Sequence, residues 1–127
     1  MGSNQNLKFE RIAILAHPQI EAALDQAVQM SADLASRGLT VIHGNLNDES
    51  LRQQVVEEQA DLVVTLGGDG TVLRAGHLCA PHDIPILPVN LGSLGFLIEL
   101  APEDWTSALN RLLSGDFWVE KRMMLHA

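Results

Sequence analysis

The chain has 127 residues, which is long enough for one domain with a substantial core, and 46% of them are apolar. Acidic residues outnumber basic ones by 16 to 8, the formal net charge is −8, and the basic residues form no cluster. This charge argues against nucleic acid and against an anionic membrane surface as the main partner. The longest apolar runs are too short to cross a membrane and no signal peptide is recognisable, so we expect a cytoplasmic protein.

Strands and helices alternate along the chain. Short apolar runs predict buried strands, and apolar residues at helical spacing predict amphipathic helices. In chain order we predict a strand at 11–16, a helix at 20–37, a strand at 39–43, a turn at 44–48, a helix at 50–59, a strand at 61–66, a helix at 71–79, a strand at 84–89, a helix from Pro102 to Gly115 and an extended segment at 117–125. The alternation predicts an α/β fold, a mostly parallel open sheet with helices on both faces.

The most informative stretch of the sequence follows the third predicted strand. There Gly67, Gly68 and Gly70 surround one carboxylate, Asp69, and Thr71 begins the next helix. Glycines permit backbone angles and close approaches that a Cβ would block, and the amides of such a turn can face an anion. The loop is therefore a candidate ligand site at the carboxyl end of a strand. The structural alternative is a tight turn in which Asp69 is the helix N-cap.

A second glycine loop follows the next strand. Residues 85–89 read as a short buried strand that continues into Asn90-Leu91-Gly92-Ser93-Leu94-Gly95-Phe96-Leu97. In a parallel sheet the two loops emerge at the same edge and can face one ligand.

Together these two motifs resemble the ATP-dependent NAD kinase family. The segment Val119-Glu120-Lys121-Arg122-Met123-Met124-Leu125 also looks like the junction at which that family passes into its second domain. The resemblance implies a Rossmann- or flavodoxin-like N-terminal domain over residues 9–127, with residues 1–8 as a disordered tail or cloning remnant. At 117–127 this domain would run into a β-rich second domain that the sequence lacks. We therefore expect the chain alone to be inactive.

The family's reaction moves the γ-phosphoryl group of ATP to the 2′-hydroxyl of the adenosine ribose of NAD. By resemblance, Asp69 would bind that hydroxyl and accept its proton, and Gly70 would contact NAD beside it. Gly67 and Gly68 would shape the turn and admit phosphate. Four further residues have two interpretations each: Thr71 as a helix cap or phosphate contact, Arg74 as a cofactor contact or solvated cation, Asn90 as a phosphate ligand or turn former, and Phe96 as an adenine contact or core residue. Gly92 and Gly95 complete the second motif.

No histidine pair has metal-ligand spacing, so we predict no protein-held metal and expect Mg²⁺ to enter with ATP. The resemblance implies a dimer or tetramer in the full-length protein. Two other functions stay open at this point. Diacylglycerol and sphingosine kinases share the first glycine motif but fit the second poorly, and a non-catalytic nucleotide-binding module would need no second domain.

Overall fold

The computed structural model describes residues 9–90 of the chain. They form four strands and three helices in strict alternation, with one turn of 3₁₀ helix at Ala80–His82 before the last strand. In chain order the elements are β1 (Arg11–Ala16), α1 (Glu21–Ser36), β2 (Thr40–Asn45), α2 (Glu49–Glu57), β3 (Leu62–Gly67), α3 (Asp69–Cys79) and β4 (Ile86–Asn90). The sequence predictions for residues 1–8, for the helix from Pro102 and for the segment 117–125 lie outside the described residues.

The four strands form one parallel sheet in the order β2-β1-β3-β4. The predicted α/β fold with a parallel sheet is thereby confirmed. The chain adds β2 on one side of β1 and then returns to place β3 on the other side. The sheet therefore has a topological switch point between β1 and β3, where open α/β sheets bind their ligands at the carboxyl ends of the strands.

Helices cover both faces of the sheet. On one face α1 packs through residues such as Ala27 and Leu34 against Ile12 and Ile14 of β1. The opposite face carries α2 and α3, which contribute the residues Leu51, Val55, Ala75 and Cys79. Because both faces are covered, every residue of β3 is buried, which explains why this strand reads as an apolar run without alternation.

Local signals in the sequence define the helix ends. Gly38 follows α1 with a φ of +89°, and its N–H donates to the carbonyl oxygen of Ala35 at 3.0 Å. The N–H of Leu39 donates to the carbonyl of Leu34 at 3.3 Å, which completes a Schellman motif and confirms that Gly38 ends the helix. Asp48 caps α2, since its carboxylate accepts from the N–H groups of Ser50 and Leu51.

At the carboxyl edge of the sheet several elements are longer than predicted, whereas at the amino edge β4 begins at Ile86 rather than at 84 and α2 ends at Glu57 rather than at 59. Gly44 and Asn45, predicted as a turn, belong to β2 because they pair with Leu15 and Ala16 of β1. Helix α3 begins at Asp69 rather than Thr71. At the carboxyl edge, strand pairing and helix hydrogen bonds thus extend further toward the loops than side-chain patterns indicate, since backbone groups pair irrespective of residue type.

The single cysteine packs as a small hydrophobic residue. Cys79 is fully buried at the end of α3, and this burial raises the pKa of its thiol to about 12, opposed by the nearby Arg52. A thiol of this kind is protonated at neutral pH, so it is no nucleophile. Cys79 is therefore a core residue.

Candidate functional site

A cleft of about 490 Å³ opens at the carboxyl edge of the sheet, where loops from three strands meet. The segment after β1 forms one wall and the start of α3 forms another, so the cleft lies at the switch point between β1 and β3. Its lining residues are His17, Pro18, Gln19, Ile20, Leu46, Asn47, Gly68, Gly70, Thr71 and Arg74. Four of these, Gly68, Gly70, Thr71 and Arg74, are site residues that the sequence predicted.

Gly67 allows the loops after β1 and β3 to approach each other closely. A Cβ added at this position would overlap Oγ1 of Thr71 and would lie only 3.0 Å from Cβ of His17. The main chain of the two loops is also joined, since the N–H of His17 donates to the carbonyl of Leu66 at 2.9 Å. Gly67 is therefore required by the protein's own packing, whatever ligand the cleft receives.

Gly68 and Gly70 have a different reason to be glycine. Gly68 is the N-cap of α3 with a φ of −118°, and Gly70 lies within the first turn of that helix. Neither has a positive φ, and a Cβ on either would meet no atom of residues 9–90 within 4 Å. The expectation that the backbone angles require glycine is thus wrong for these two positions, and the expected close approach of a ligand stays a prediction. What their missing side chains leave is open space in the cleft, next to backbone amides.

Asp69 is not a loop residue. It is the first residue of α3, where a carboxylate interacts favourably with the helix dipole, and it is half-buried. The N-cap interpretation is wrong, because Gly68 holds that position. Both neighbours of Asp69 line the cleft of about 490 Å³, but Asp69 itself does not.

Thr71 points to a ligand more directly. No side chain caps α3, so the cap interpretation of Thr71 is wrong. The residue is 1% exposed, and its hydroxyl oxygen has no hydrogen-bond partner among residues 9–90. A buried polar atom without a partner costs free energy, and a group bound in the cleft that Thr71 lines would supply the missing hydrogen bond.

Arg74 follows one turn later on the same side of α3. Its side chain is exposed, lines the cleft and makes no hydrogen bond or ion pair with another described residue. An unpaired guanidinium in a cleft is well suited to bind phosphate or carboxylate.

The second glycine loop begins beside the first. Asn90, the last residue of β4, pairs in register with Gly67, so the two loops leave the sheet at adjacent points. Gly92, Gly95 and Phe96 lie outside the described residues.

The charge of the cleft is opposite in sign to that of the chain. None of the described residues that line it is acidic, although acidic residues outnumber basic ones by 16 to 8 overall. Within residues 9–90 no group of three or more metal-ligating side chains comes together, and no helix there is long and apolar enough to cross a membrane. The cleft is thus equipped to bind an anion through amides, a hydroxyl and a guanidinium.

Comparison with known proteins identifies the family of this chain. The family model of the ATP-NAD kinase N-terminal domain matches residues 6–117. The chain belongs to this family. The NAD kinase of Dehalococcoides mccartyi is 40% identical over an alignment of 122 positions that covers 94% of this chain and 42% of that protein. An NAD kinase from a species of Geobacter is 42% identical over an alignment of 128 positions that covers 94% of this chain and 44% of that protein.

The ATP-NAD kinase relatives are longer than this chain, which spans less than half of their length. Among solved structures, yeast NADH kinase complexed with NADH superposes with a TM-score of 0.63 at 18% identity, over 87% of this chain and 40% of that one. That likeness supports the fold, and the family assignment rests on the sequence matches. The family assignment also decides against the lipid-kinase alternative, which shared only the first glycine motif.

Sequence reasoning missed the half of the cleft that β1 and β2 contribute in this ATP-NAD kinase domain. The sequence pattern assigns no binding role to His17, and it predicts Asn47 only as part of the turn at 44–48. A signal was present, because His17 directly follows the first strand as Gly68 follows the third. Only the strand order shows that the ends of these two strands are neighbours.

Proposed function

We propose that the protein carrying this chain is an NAD kinase, which transfers the γ-phosphoryl group of ATP to the 2′-hydroxyl of the adenosine ribose of NAD and so forms NADP. The observation that carries the proposal is the family match over residues 6–117, which includes both glycine loops. The chain spans less than half of its relatives, so the activity of the whole protein is inferred from this membership.

The geometry of the cleft supports phosphoryl transfer. This reaction depends chiefly on positioning the reactants and on neutralising the charge of the phosphate oxygens. The amides at the start of α3, the unpartnered Thr71 hydroxyl and the unpaired Arg74 guanidinium supply donors for those oxygens. Gly68 and Gly70 leave room for the nucleotide to approach these amides.

We assign to Asp69 the role of binding the 2′-hydroxyl of the ribose, which accepts the phosphoryl group. A carboxylate that accepts a hydrogen bond from the 2′-hydroxyl orients its oxygen toward the γ-phosphorus and takes the proton as the new P–O bond forms. The bond from that phosphorus to the bridging oxygen breaks, and ADP leaves. The second loop, with Asn90, Gly92, Gly95 and Phe96, would complete the nucleotide site from the neighbouring strand.

The proposed site uses ATP together with Mg²⁺, which phosphate oxygens and water would hold for the most part. The residues that line the cleft fit this arrangement, since several of them can donate hydrogen bonds to phosphate oxygens and none of the described ones is a carboxylate that would hold the metal. In line with the family resemblance, we propose a dimer or tetramer as the state of the full-length enzyme.

The test is an assay of the full-length protein with ATP, Mg²⁺ and NAD, coupled to an NADP-specific dehydrogenase. We expect the wild type to form NADP and Asp69→Asn to lower kcat by about 10²–10⁴-fold, the range for loss of a positioned general base. Asp25→Asn is the matched control, because Asp25 is an exposed carboxylate of α1, away from the cleft. This control should keep the wild-type rate.

Each contrary result has a definite meaning. A folded wild type that forms no NADP contradicts the proposed function, and phosphorylation of diacylglycerol or sphingosine would then be the next reaction to assay. Wild-type turnover in Asp69→Asn would leave the function standing and would remove Asp69 from the role of base.

A further inference from the structure

His17 is held in a fixed position at the end of β1. Its backbone N–H donates to the carbonyl of Leu66 at 2.9 Å, and its carbonyl accepts from the N–H of Ile20 at 3.3 Å. Its ring is held as well, since Nδ1 accepts a hydrogen bond from the backbone N–H of Gln19 at 3.0 Å. Three hydrogen bonds therefore orient a half-buried imidazole that lines the cleft.

The bond to Gln19 also determines where the ring carries its proton. Nδ1 acts as an acceptor, so the neutral imidazole has its hydrogen on Nε2. Nε2 makes no hydrogen bond to another residue of the segment 9–90. The ring thus has one nitrogen that accepts from the backbone and one oriented donor without a partner among these residues.

This donor belongs to a wider set in the same cleft. The buried Thr71 hydroxyl and the Arg74 guanidinium also lack partners among the described residues, and none of the described lining residues is acidic. Gly67 permits close approach of the two walls, since even a Cβ there would lie only 3.0 Å from Cβ of His17 and would overlap Thr71 Oγ1. Three donors of different chemistry, with no carboxylate among them, are suited to a ligand that carries several anionic oxygens.

We propose that His17 is a further binding residue of this site, and that its Nε2–H donates a hydrogen bond to a phosphate oxygen of the nucleotide bound in the cleft, opposite Thr71 and Arg74. This inference rests on the proposed function for the identity of the nucleotide. Both ATP and NAD present phosphate oxygens, and the experiment separates them.

Two substitutions separate the roles of the two ring nitrogens. In His17→Asn the side-chain oxygen replaces Nδ1 as the acceptor for the Gln19 N–H, because Asn forms this type of turn readily, but the Nε2–H is lost. In His17→Gln an amide N–H reaches about as far as Nε2, but the acceptor for Gln19 is lost. His17→Asn therefore removes the ligand contact and keeps the hydrogen bond to the Gln19 N–H. His17→Gln keeps a donor for the ligand and loses that hydrogen bond.

The measurement is the Kd of the full-length protein for ATP, for NAD and for adenosine, which has no phosphate, together with the Tm of the ligand-free protein. We expect His17→Asn to keep its Tm and to weaken binding of ATP or NAD by about tenfold or more, as for the loss of a hydrogen bond to a charged group. Adenosine should bind equally to wild type and variant. His17→Gln should lose less affinity for the phosphate ligand and more Tm.

The pattern of loss identifies the ligand. Weaker binding of ATP alone assigns the cleft to the phosphoryl donor, and weaker binding of NAD alone assigns it to the pyrophosphate of the acceptor. Unchanged affinity of His17→Asn for both would overturn the proposal, as would a wild type that binds neither. The NADP assay is independent: a protein that forms no NADP but loses phosphate affinity in His17→Asn retains this site and lacks the proposed function.

A direct readout covers the case in which His17→Asn does not fold. Long-range proton–nitrogen NMR of the wild type should show the Nε2-protonated tautomer, and the Nε2 signal should shift on titration with ATP or NAD but not with adenosine. An Nε2 signal that no phosphate ligand moves would contradict the proposal.

Discussion

The two ends of the parallel sheet are built from similar residues and use them in opposite ways. At the amino end the polar side chains bind the protein itself. The carboxylate of Asp61 accepts from the backbone N–H groups of Glu10 and Arg11, each at 2.9 Å. The guanidinium of Arg11 donates to the carbonyl of Glu58 at 3.0 Å.

At the carboxyl end, hydrogen bonds between main-chain groups join the loops, but two polar side chains that line the cleft have no partner among the described residues. The N–H of Leu46 donates to the carbonyl of Ala16 at 2.9 Å, so the loops are fixed. The Thr71 hydroxyl and the Arg74 guanidinium nevertheless have no protein partner within residues 9–90. A polar group that the protein leaves unsatisfied, on a scaffold that it holds rigidly, is what a binding site requires.

The comparison predicts that substitutions at the amino end will change stability and that substitutions at the carboxyl end will change function. The assay and binding measurements given above for Asp69 and His17 test the carboxyl end. Three further experiments address the contrast itself.

The largest effect is expected from Gly70→Ala. The added methyl group meets no protein atom within 4 Å and favours the helix, so stability should rise by up to about 1 kcal/mol. The methyl group would occupy space in the cleft, and displacing a bound reactant by an ångström lowers turnover by about 10²-fold. We expect this loss in the NADP-coupled assay.

Gly76→Ala is the control for that experiment. Gly76 belongs to the same helix and also has no atom within 4 Å of an added Cβ, but it does not line the cleft. The Gly76→Ala variant should gain about as much stability as Gly70→Ala and should keep the wild-type turnover. Equal turnover of the two variants would show that no ligand approaches Gly70.

A smaller effect, confined to stability, is expected from Asp61→Ala at the amino end. The substitution removes the acceptor of two backbone N–H groups, and water replaces it in part because the site is accessible. We expect the free energy of unfolding to fall by about 1–2 kcal/mol in urea denaturation, with kcat unchanged. Asp25→Ala, on an exposed face of α1, should change stability by less than about 0.5 kcal/mol. If Asp61→Ala lost activity without losing stability, the contrast between the two ends would fail.

The smallest effect on the ligand-free protein is expected from Thr71→Val. Since the hydroxyl has no partner among the residues that the structure describes, its removal should leave stability unchanged or raise it by about 1 kcal/mol, while nucleotide affinity falls. Thr65→Val is the matched control, because the Thr65 hydroxyl in β3 is also buried and has no partner among the described residues but does not line the cleft. This variant should change stability as Thr71→Val does and should leave nucleotide affinity unchanged. A clear loss of stability in Thr71→Val would mean that the protein itself uses this hydroxyl.

Much of this fold could be predicted because its signals are local. An apolar run buried on both faces defined β1 to the residue, and Gly38 marked the end of α1 through the conformation that a Schellman motif needs. The glycine loop after β3 and its partner after β4 identified the family, since close approach of a backbone to a ligand requires particular residues at particular spacing. These features depend on residues that are neighbours in the chain, so they can be predicted without knowledge of the tertiary structure.

The tertiary structure alone decided which loops meet. The sequence of β1 does not predict that β3 lies beside it, because strand order results from long-range pairing and from helix packing on both faces. That order brings His17 and Asn47 to the cleft of the glycine loop, places Asp69 in the first turn of α3, and leaves Thr71 buried without a partner. The residue types of the site could thus be predicted from the sequence. Their geometry, and the polar groups that remain available to a ligand, result only from folding.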